Sequence, residues 1–230
     1  MGNTSITKSS VGRKVLMALS GFFLLFFLLQ HCTINMFSVC CGDTFNSVSH
    51  FMGTNPVIQY IMQPILAIGV IFHLGMGIAL ELKNRSARPQ KYAYNKPGKN
   101  SPWMSRNMII TGLMVLLFLG LHFYDFWFPE LKLKYIDGDM TGLLSKGEEG
   151  FRYLHELQQK FVNPIRVGIY VLSFVFLALH LLHGFQSSFQ SVGFNHGKYT
   201  PLIKKLGIAY AILIPAGFIF IAIFHFAAAH

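Results

Sequence analysis

The 230-residue sequence has few charged side chains, and acidic ones are the scarcest. Charged residues make up 12% of the chain and hydrophobic residues 53%, and only 9 residues are Asp or Glu. Soluble domains carry about 25% charged residues, so this composition excludes an ordinary soluble globular protein. It predicts a chain that lies mostly within a lipid bilayer.

Cysteine is scarce as well, and its spacing excludes two kinds of cofactor site. The three cysteines, Cys32, Cys40 and Cys41, form neither C-x-x-C nor C-x-x-C-H. Covalently attached heme and cysteine-bound clusters are therefore not expected. The net charge of +10 comes without a basic motif interleaved with aromatic residues, so no nucleic-acid partner is expected.

What the sequence does have is five long stretches without charged residues. Each is long enough for a membrane-spanning helix of about 20 residues. They predict an all-α membrane protein with a single integral membrane domain over residues 1–230. The predicted helices cover about 14–39, 56–82, 105–128, 161–188 and 202–226.

The basic residues predict the orientation of these spans. With the N-terminus in the cytoplasm, the inner side receives 13 of the 19 Lys and Arg residues and one of the nine acids. Lys and Arg accumulate in cytoplasmic loops, so this orientation is favoured. The basic loop 83–102 is either a docking surface for a soluble partner or only a membrane anchor.

Histidines recur in four of the five spans at two matched depths. A rise of about 1.5 Å per residue places His31 and His122 near the outer side, with His73 and the pair His180 and His183 nearer the cytoplasm. An ionisable side chain within a bilayer is costly, which indicates a function. Each level thus has one pair of facing helices, and depth alone slightly favours His180 over His183.

Two glycines have the same spacing from the outer histidines. Gly21 and Gly112 each lie ten residues before a histidine and follow a hydroxyl residue, Ser20 or Thr111. A glycine lets a flat molecule approach the backbone. Together with the paired histidines, this spacing predicts four helices that form a bundle around two b-type hemes.

Two neutral imidazoles fill both axial positions of a heme iron, which suits electron transfer rather than oxygen chemistry. The second ring nitrogen of each ligand is expected to donate to the carbonyl one turn earlier. Basic residues near the inner surface are candidates for the heme propionates: Arg13, Lys14, Arg106 and Lys198. His225 is expected at the membrane interface. Histidines that only pack helices together are the alternative interpretation.

Several short motifs in order give a family resemblance. They are M-A-L-S-G before His31, Pro56 seventeen residues before His73, the S/T-G spacing to His122, and L-H-G at Leu182–Gly184 followed by F-Q-S-V-G. In this order the chain resembles the diheme cytochrome b subunits (cytochrome b558 family) of succinate dehydrogenase and fumarate reductase.

The resemblance implies a membrane anchor in the bacterial cytoplasmic (inner) membrane. Its partners would be an iron–sulfur subunit and a flavoprotein subunit with FAD, and the dicarboxylate chemistry would belong to those partners. Electrons would pass through two b hemes to or from a quinone, with menaquinone expected. It also implies His31 and His122 as distal heme ligands, and His73 and His183 as proximal ligands; the L-H-G match favours His183, with His180 as the alternative.

The chain departs from that family where some relatives have acids for proton transfer. Leu181 occupies the position of a helix-four glutamate, and the outer loop offers Asn46 and His50 as candidates for a quinone site. Two other functions stay open. One is the diheme cytochrome b of another quinone-linked enzyme, of the formate dehydrogenase, hydrogenase or nitrate reductase type; the other is a transporter with a histidine proton relay.

Overall fold

Five long helices dominate the structure, a computed structural model that describes residues 9–86, 107–144 and 150–230. They are α1 (Ser10–Cys40), α3 (Ile58–Ser86), α4 (Met108–Tyr135), α6 (Pro164–Ser191) and α7 (Thr200–Ala228). Two shorter helices, α2 (Gly42–Thr54) and α5 (Tyr153–Lys160), lie between them. All five long helices are long and apolar enough to cross a membrane, which confirms the predicted fold class.

A π-helical turn precedes a proline in two of these helices. Ile58–Met62 is π-helical and Pro64 follows, and Phe123–Trp127 is π-helical and Pro129 follows. A π-turn shifts the hydrogen-bond register ahead of a residue that cannot donate a bond. As a result α4 runs on to Tyr135, seven residues beyond the predicted end of that span.

The buried core lies mainly between α6 and α7. The buried apolar residues of α6 recur every three or four positions, which places them in one stripe; they are Val167, Tyr170, Phe174, Leu177 and Leu181. The facing stripe of α7 includes Ala211, Ile214, Phe218, Ile221 and Ala222. These two helices fix the frame against which α1 and α4 pack, and α3 packs mainly on α1.

The side chain of His225 lies in this packed core. It is buried, and its Nε2 lies 2.9 Å from the hydroxyl oxygen of Ser38 on α1. The end of α7 packs against α1, so the histidine pairs with a neighbouring helix instead of with water. Its interfacial depth stays a prediction, because burial between helices does not fix the position along the membrane normal.

A charged network joins the ends of α2, α4 and α5 on the predicted outer side. Glu130 binds Lys134 at 2.6 Å and Arg152 at 2.7 Å, and Arg152 also binds Glu156 at 3.0 Å. Lys134 donates in addition to the carbonyl of Gly53. The side chains of Lys134 and Arg152 are 4% and 8% exposed, so these pairs are largely withdrawn from water.

We expect Arg152→Gln to lower the free energy of unfolding by about 3 kcal/mol, because it leaves Glu130 partly buried without its guanidinium. Thermal or denaturant unfolding of the purified protein in detergent measures this. Lys132→Gln is the matched control: its pair with Asp137 is 66% and 41% exposed, so the expected cost is below about 1 kcal/mol. Equal losses in the two variants would contradict the network's role.

Candidate functional site

His73 of α3 and His180 of α6 face each other at the level of Ser20 and Thr111. Their ring centroids are 6.4 Å apart, with the ring planes at 68°. The Nδ1 atom of His73 lies 2.9 Å from the Ser20 hydroxyl oxygen, and that of His180 lies 3.3 Å from the Thr111 hydroxyl oxygen. Following the predicted orientation, we call these two histidines the inner pair.

The hydroxyl groups define which nitrogen of each inner imidazole is free. Ser20 donates its only proton to the carbonyl of Met17 at 2.8 Å, and Thr111 donates to the carbonyl of Met108 at 3.0 Å. Each hydroxyl oxygen therefore accepts a hydrogen bond from Nδ1–H of its histidine. The Nε2 lone pair of both histidines is left available, as a metal ligand requires.

The predicted hydrogen bond of each inner histidine to the carbonyl one turn earlier in its own helix is wrong. Both histidines donate instead to hydroxyl groups on neighbouring helices. The hydroxyls of Ser20 on α1 and Thr111 on α4 provide the acceptors instead, because the four helices meet at this level.

The two glycines of the predicted pattern lie beside the inner pair. A Cβ added to Gly21 would be 3.9 Å from Cε1 of His73, and one added to Gly112 would be 3.5 Å from Cε1 of His180. These distances are ordinary van der Waals contacts, and at Gly21 the added Cβ would come nearest to the hydroxyl oxygen of Ser188, at 2.8 Å. The two glycines thus lie directly beside the inner pair.

His31 of α1 and His122 of α4 form the second pair, which we call the outer pair. Their ring centroids are 5.8 Å apart and their planes are at 85°. Aromatic rings surround them at centroid distances between 5.3 and 6.3 Å; these rings are Phe27, Phe118, Phe123, Phe126 and Phe218. The outer pair therefore lies in an apolar, aromatic environment.

The outer pair lacks the hydroxyl partners of the inner pair. Nδ1 of His31 lies 3.4 Å from Nδ2 of Asn35, which is at the long limit of a hydrogen bond. Nδ1 of His122 is buried and has no hydrogen-bond partner among the described residues. The two levels thus hold their imidazoles in chemically different ways.

The separation of the two levels is the same on α1 and α4. Eleven residues separate Ser20 from His31, and eleven separate Thr111 from His122. At a rise of about 1.5 Å per residue, both helices place the levels roughly 16 Å apart. Two independent helices therefore give one consistent spacing.

Both pairs fit a metal that is bound by two opposite imidazoles. Metal–nitrogen bonds of about 2 Å on opposite sides of one ion place the ring centroids roughly 6 Å apart, and the observed distances are 5.8 and 6.4 Å. No group of three or more His, Cys, Asp or Glu in the described residues could hold a metal ion. A heme iron requires only two protein ligands, so the residues fit heme better than a metal held by the protein alone.

The structure brings His180, and not His183, next to His73. His183 is half-buried on α6, and no ring contact joins it to His73 among the described residues. The two histidines are three residues apart, so they lie about 60° apart around the helix axis. This geometry favours His180, the alternative, over the predicted His183.

The candidate propionate residues differ in their surroundings. Arg13 is half-buried, and its Nε is buried without a hydrogen-bond partner among the described residues. It lies seven residues before Ser20, hence on the same face of α1 and about 10 Å below the inner pair. Lys14 and Lys198 are exposed, and Arg106 lies outside the described residues, as does most of the basic loop 83–102.

The two quinone candidates lie apart from the histidine pairs, in the outer segment. Asn46 Oδ1 accepts from the backbone N–H of Leu154 at 2.8 Å, which gives it a capping role. His50 stacks on Phe151 at 4.1 Å, and its Nδ1 lies 3.4 Å from the hydroxyl of Tyr153. Burial raises the pKa of Tyr153 to about 12, so its phenol stays protonated at neutral pH and can donate to His50.

Sequence reasoning did not single out a buried acid one turn beyond His122. The side chain of Asp125 is fully buried, and Tyr170 donates to its Oδ2 at 2.8 Å. The signal that identifies it is an acid followed by aromatic residues inside a helix that continues to Tyr135.

These observations define a helical, multi-pass membrane protein with two pairs of facing histidines at separate levels. Among known proteins, the chain is similar to the succinate dehydrogenase cytochrome b558 subunit of Bacillus subtilis, at 29% identity over 101 residues. The alignment covers 43% of this chain and 46% of that subunit, so it spans less than half of either protein. No protein-family model and no solved structure matches the chain.

We expect Gly142→Ala to disturb the contact between His50 and Tyr153. Gly142 has a φ of 62°, and an added Cβ would lie 2.5 Å from the Tyr153 hydroxyl and 3.0 Å from His50 Nδ1. Gly138→Ala is the control, because its φ is 75° but the space around it is open. The backbone strain of about 1–2 kcal/mol is common to both, so Gly142→Ala should lower the unfolding midpoint further. An equal decrease of the unfolding midpoint in the two variants would mean that Tyr153 and His50 can move aside without a cost in stability.

Proposed function

We propose that this chain is the membrane-anchor cytochrome b subunit of a succinate:quinone oxidoreductase, either a succinate dehydrogenase or a fumarate reductase. It carries electrons through two b hemes between a cytoplasmic iron–sulfur subunit and membrane quinone. The observation that carries the proposal is the presence of two facing histidine pairs at two levels of one bundle. The similarity to a cytochrome b558 subunit supports the same function.

Four histidines are the proposed axial ligands. His31 and His122 hold the outer (distal) heme iron, and His73 and His180 hold the inner (proximal) one. A heme b with two imidazole ligands supplies one-electron transfer and has no open position for oxygen. His180 replaces His183 in this assignment, because His180 is the residue of α6 that faces His73.

The surrounding residues orient the ligands and exclude water. Ser20 and Thr111 accept the Nδ1–H bonds that fix the inner imidazoles, and Gly21 and Gly112 leave room beside them. The unpartnered Nε–H of Arg13 is the best placed of the basic candidates for an inner propionate. The aromatic rings around the outer pair keep water from that level.

The remaining parts of the proposal concern the assembly. The chain is a single membrane domain in the bacterial cytoplasmic membrane, with its N-terminus in the cytoplasm. Its partners are the iron–sulfur subunit and the flavoprotein subunit with FAD, which carry out the dicarboxylate chemistry. Menaquinone is the proposed quinone. His50 is the proposed contact to the quinone, and Tyr153 and Phe151 hold its ring.

A second candidate is the diheme cytochrome b of another quinone-linked enzyme, because the histidine pairs alone suit it equally well. The copurifying subunits distinguish the two candidates: a flavoprotein and an iron–sulfur protein with succinate dehydrogenase activity support the first. A histidine-relay transporter requires no pigment. The absorption spectrum of the purified complex therefore separates it from both cytochromes.

We expect the purified complex to contain two b hemes per chain and to show two redox steps. His31→Ala or His122→Ala should remove only the outer heme, and His73→Ala or His180→Ala only the inner one. Heme content by pyridine hemochrome assay and reduced-minus-oxidised spectra measure these losses.

His183→Ala is the matched control, since it lies on the same helix one turn away and should retain both hemes. Retention of both hemes in His180→Ala together with loss in His183→Ala would reverse the inner assignment. Absence of heme from the wild-type complex would overturn the proposed function.

Ser20→Ala and Thr111→Val should raise the reduction potential of the inner heme while both hemes stay bound. Removing the acceptor of Nδ1–H makes the imidazole a weaker base, which favours the ferrous state. Potentiometric titration measures the shift. Ser38→Ala, which contacts His225 instead, is the control; a shift of equal size there would contradict a specific effect on the inner ligands.

A further inference from the structure

Asp125 is a buried acid within a membrane-spanning helix. Its side chain is 0% exposed, and it lies in the π-helical segment Phe123–Trp127 of α4. A carboxyl group in such a position is energetically costly unless neighbouring groups stabilise it. Its presence there indicates a function. Short π-helical segments are themselves frequent at functional sites.

Asp125 has two polar partners on α6. Tyr170 donates its hydroxyl proton to Oδ2 at 2.8 Å, and Nη2 of Arg166 lies 3.5 Å from Oδ1. A hydroxyl donor and a guanidinium are both suitable partners for a carboxylate. Oδ1 accepts no hydrogen bond from the described residues, so the ion pair with Arg166 is its described polar contact.

Asp125 belongs to the same cluster as the outer histidine pair. It lies three residues after His122 on α4. Its partner Tyr170 packs edge-on against Phe118 at 5.2 Å, and Phe118 lies 5.7 Å from His122, both between ring centroids. A short chain of contacts therefore links the carboxylate to the outer level.

Because Asp125 is buried, its charge acts more strongly on neighbouring groups than the charge of an exposed acid on the predicted outer side. At an effective dielectric constant of about 20, a charge acts roughly four times as strongly as across bulk water at the same distance. Arg166 is 30% exposed, so water screens its positive charge more than that of Asp125. The Asp125 carboxylate is therefore the less screened charge of this ion pair.

We propose that the buried carboxylate of Asp125 lowers the reduction potential of the outer heme. This inference rests on the proposed function, since it assumes that His31 and His122 hold a heme iron. The oxidised iron carries one more positive charge than the reduced iron, and a nearby carboxylate stabilises it preferentially. Tyr170 and Arg166 are the positioning residues that orient the carboxylate.

The test is a potentiometric titration of the purified complex from wild type and from Asp125→Asn. The outer step is identified as the one that disappears in His31→Ala. Asn is close in size to Asp and can still accept from Tyr170, so the change removes mainly the charge. We expect the outer step to move to a higher potential and the inner step to move much less.

Matched variants separate the charge from the helix contact. Asp125→Glu keeps the charge and should keep the outer potential near that of wild type. Tyr170→Phe removes the hydrogen bond but keeps the charge, so its shift should be much smaller than that of Asp125→Asn. Asp137→Asn makes the same chemical change at an exposed acid and should leave both steps in place. If Asp125→Asn does not assemble, Asp125→Ser is a second neutral variant for the same titration.

Three results would overturn the inference alone: an unchanged outer potential in the neutral variants, equal shifts of both steps, or equal shifts in Asp125→Asn and Tyr170→Phe. The last would indicate a purely structural role. A wild-type complex without b heme would instead overturn the proposed function, and the spectrum reveals this before any titration.

Discussion

A polar imidazole inside a membrane-spanning bundle must find partners for both of its nitrogens, and the arrangement of the helices follows from this requirement. In the hydrocarbon layer no water can satisfy an exposed N–H group. At the inner level the partners are the hydroxyls of Ser20 and Thr111, which come from helices other than those of the histidines they bind. Four helices must therefore meet at one height before both imidazoles are satisfied on their Nδ1 sides.

The groups that surround the imidazoles differ between the two levels, so the two levels of the bundle are chemically distinct. Hydroxyl acceptors raise the basicity of the inner imidazoles. The outer pair is surrounded by phenylalanine rings and has a carboxylate one turn away, with Nδ1 of His122 left without a described partner. Two cofactors of the same kind would consequently experience different environments at the two levels.

The frame that holds these levels is itself asymmetric. The apolar core is concentrated between α6 and α7, whereas the α-helical part of α3 contributes His73 but no buried residue. Packing of α7 against α6 and α1 fixes their position, and the charged network around Arg152 ties the ends of α2, α4 and α5 together. The helices that carry the histidine pairs are thus held by α7 on one side of the bundle and by the charged network at the predicted outer end.

The sequence by itself determined the five spans, the four histidine-bearing helices and the two levels, because hydrophobic length and the constant rise of a helix are local properties. It also identified Gly21 and Gly112 by their spacing. Only the tertiary structure decided that His180 faces His73, that His225 is buried against Ser38, and that Asp125 is buried with Tyr170 as its partner. These features depend on the rotation of each helix about its own axis and on which neighbour it meets. Residues three apart, such as His180 and His183, differ in depth by about 4.5 Å but point in directions about 60° apart, and packing between helices sets that direction.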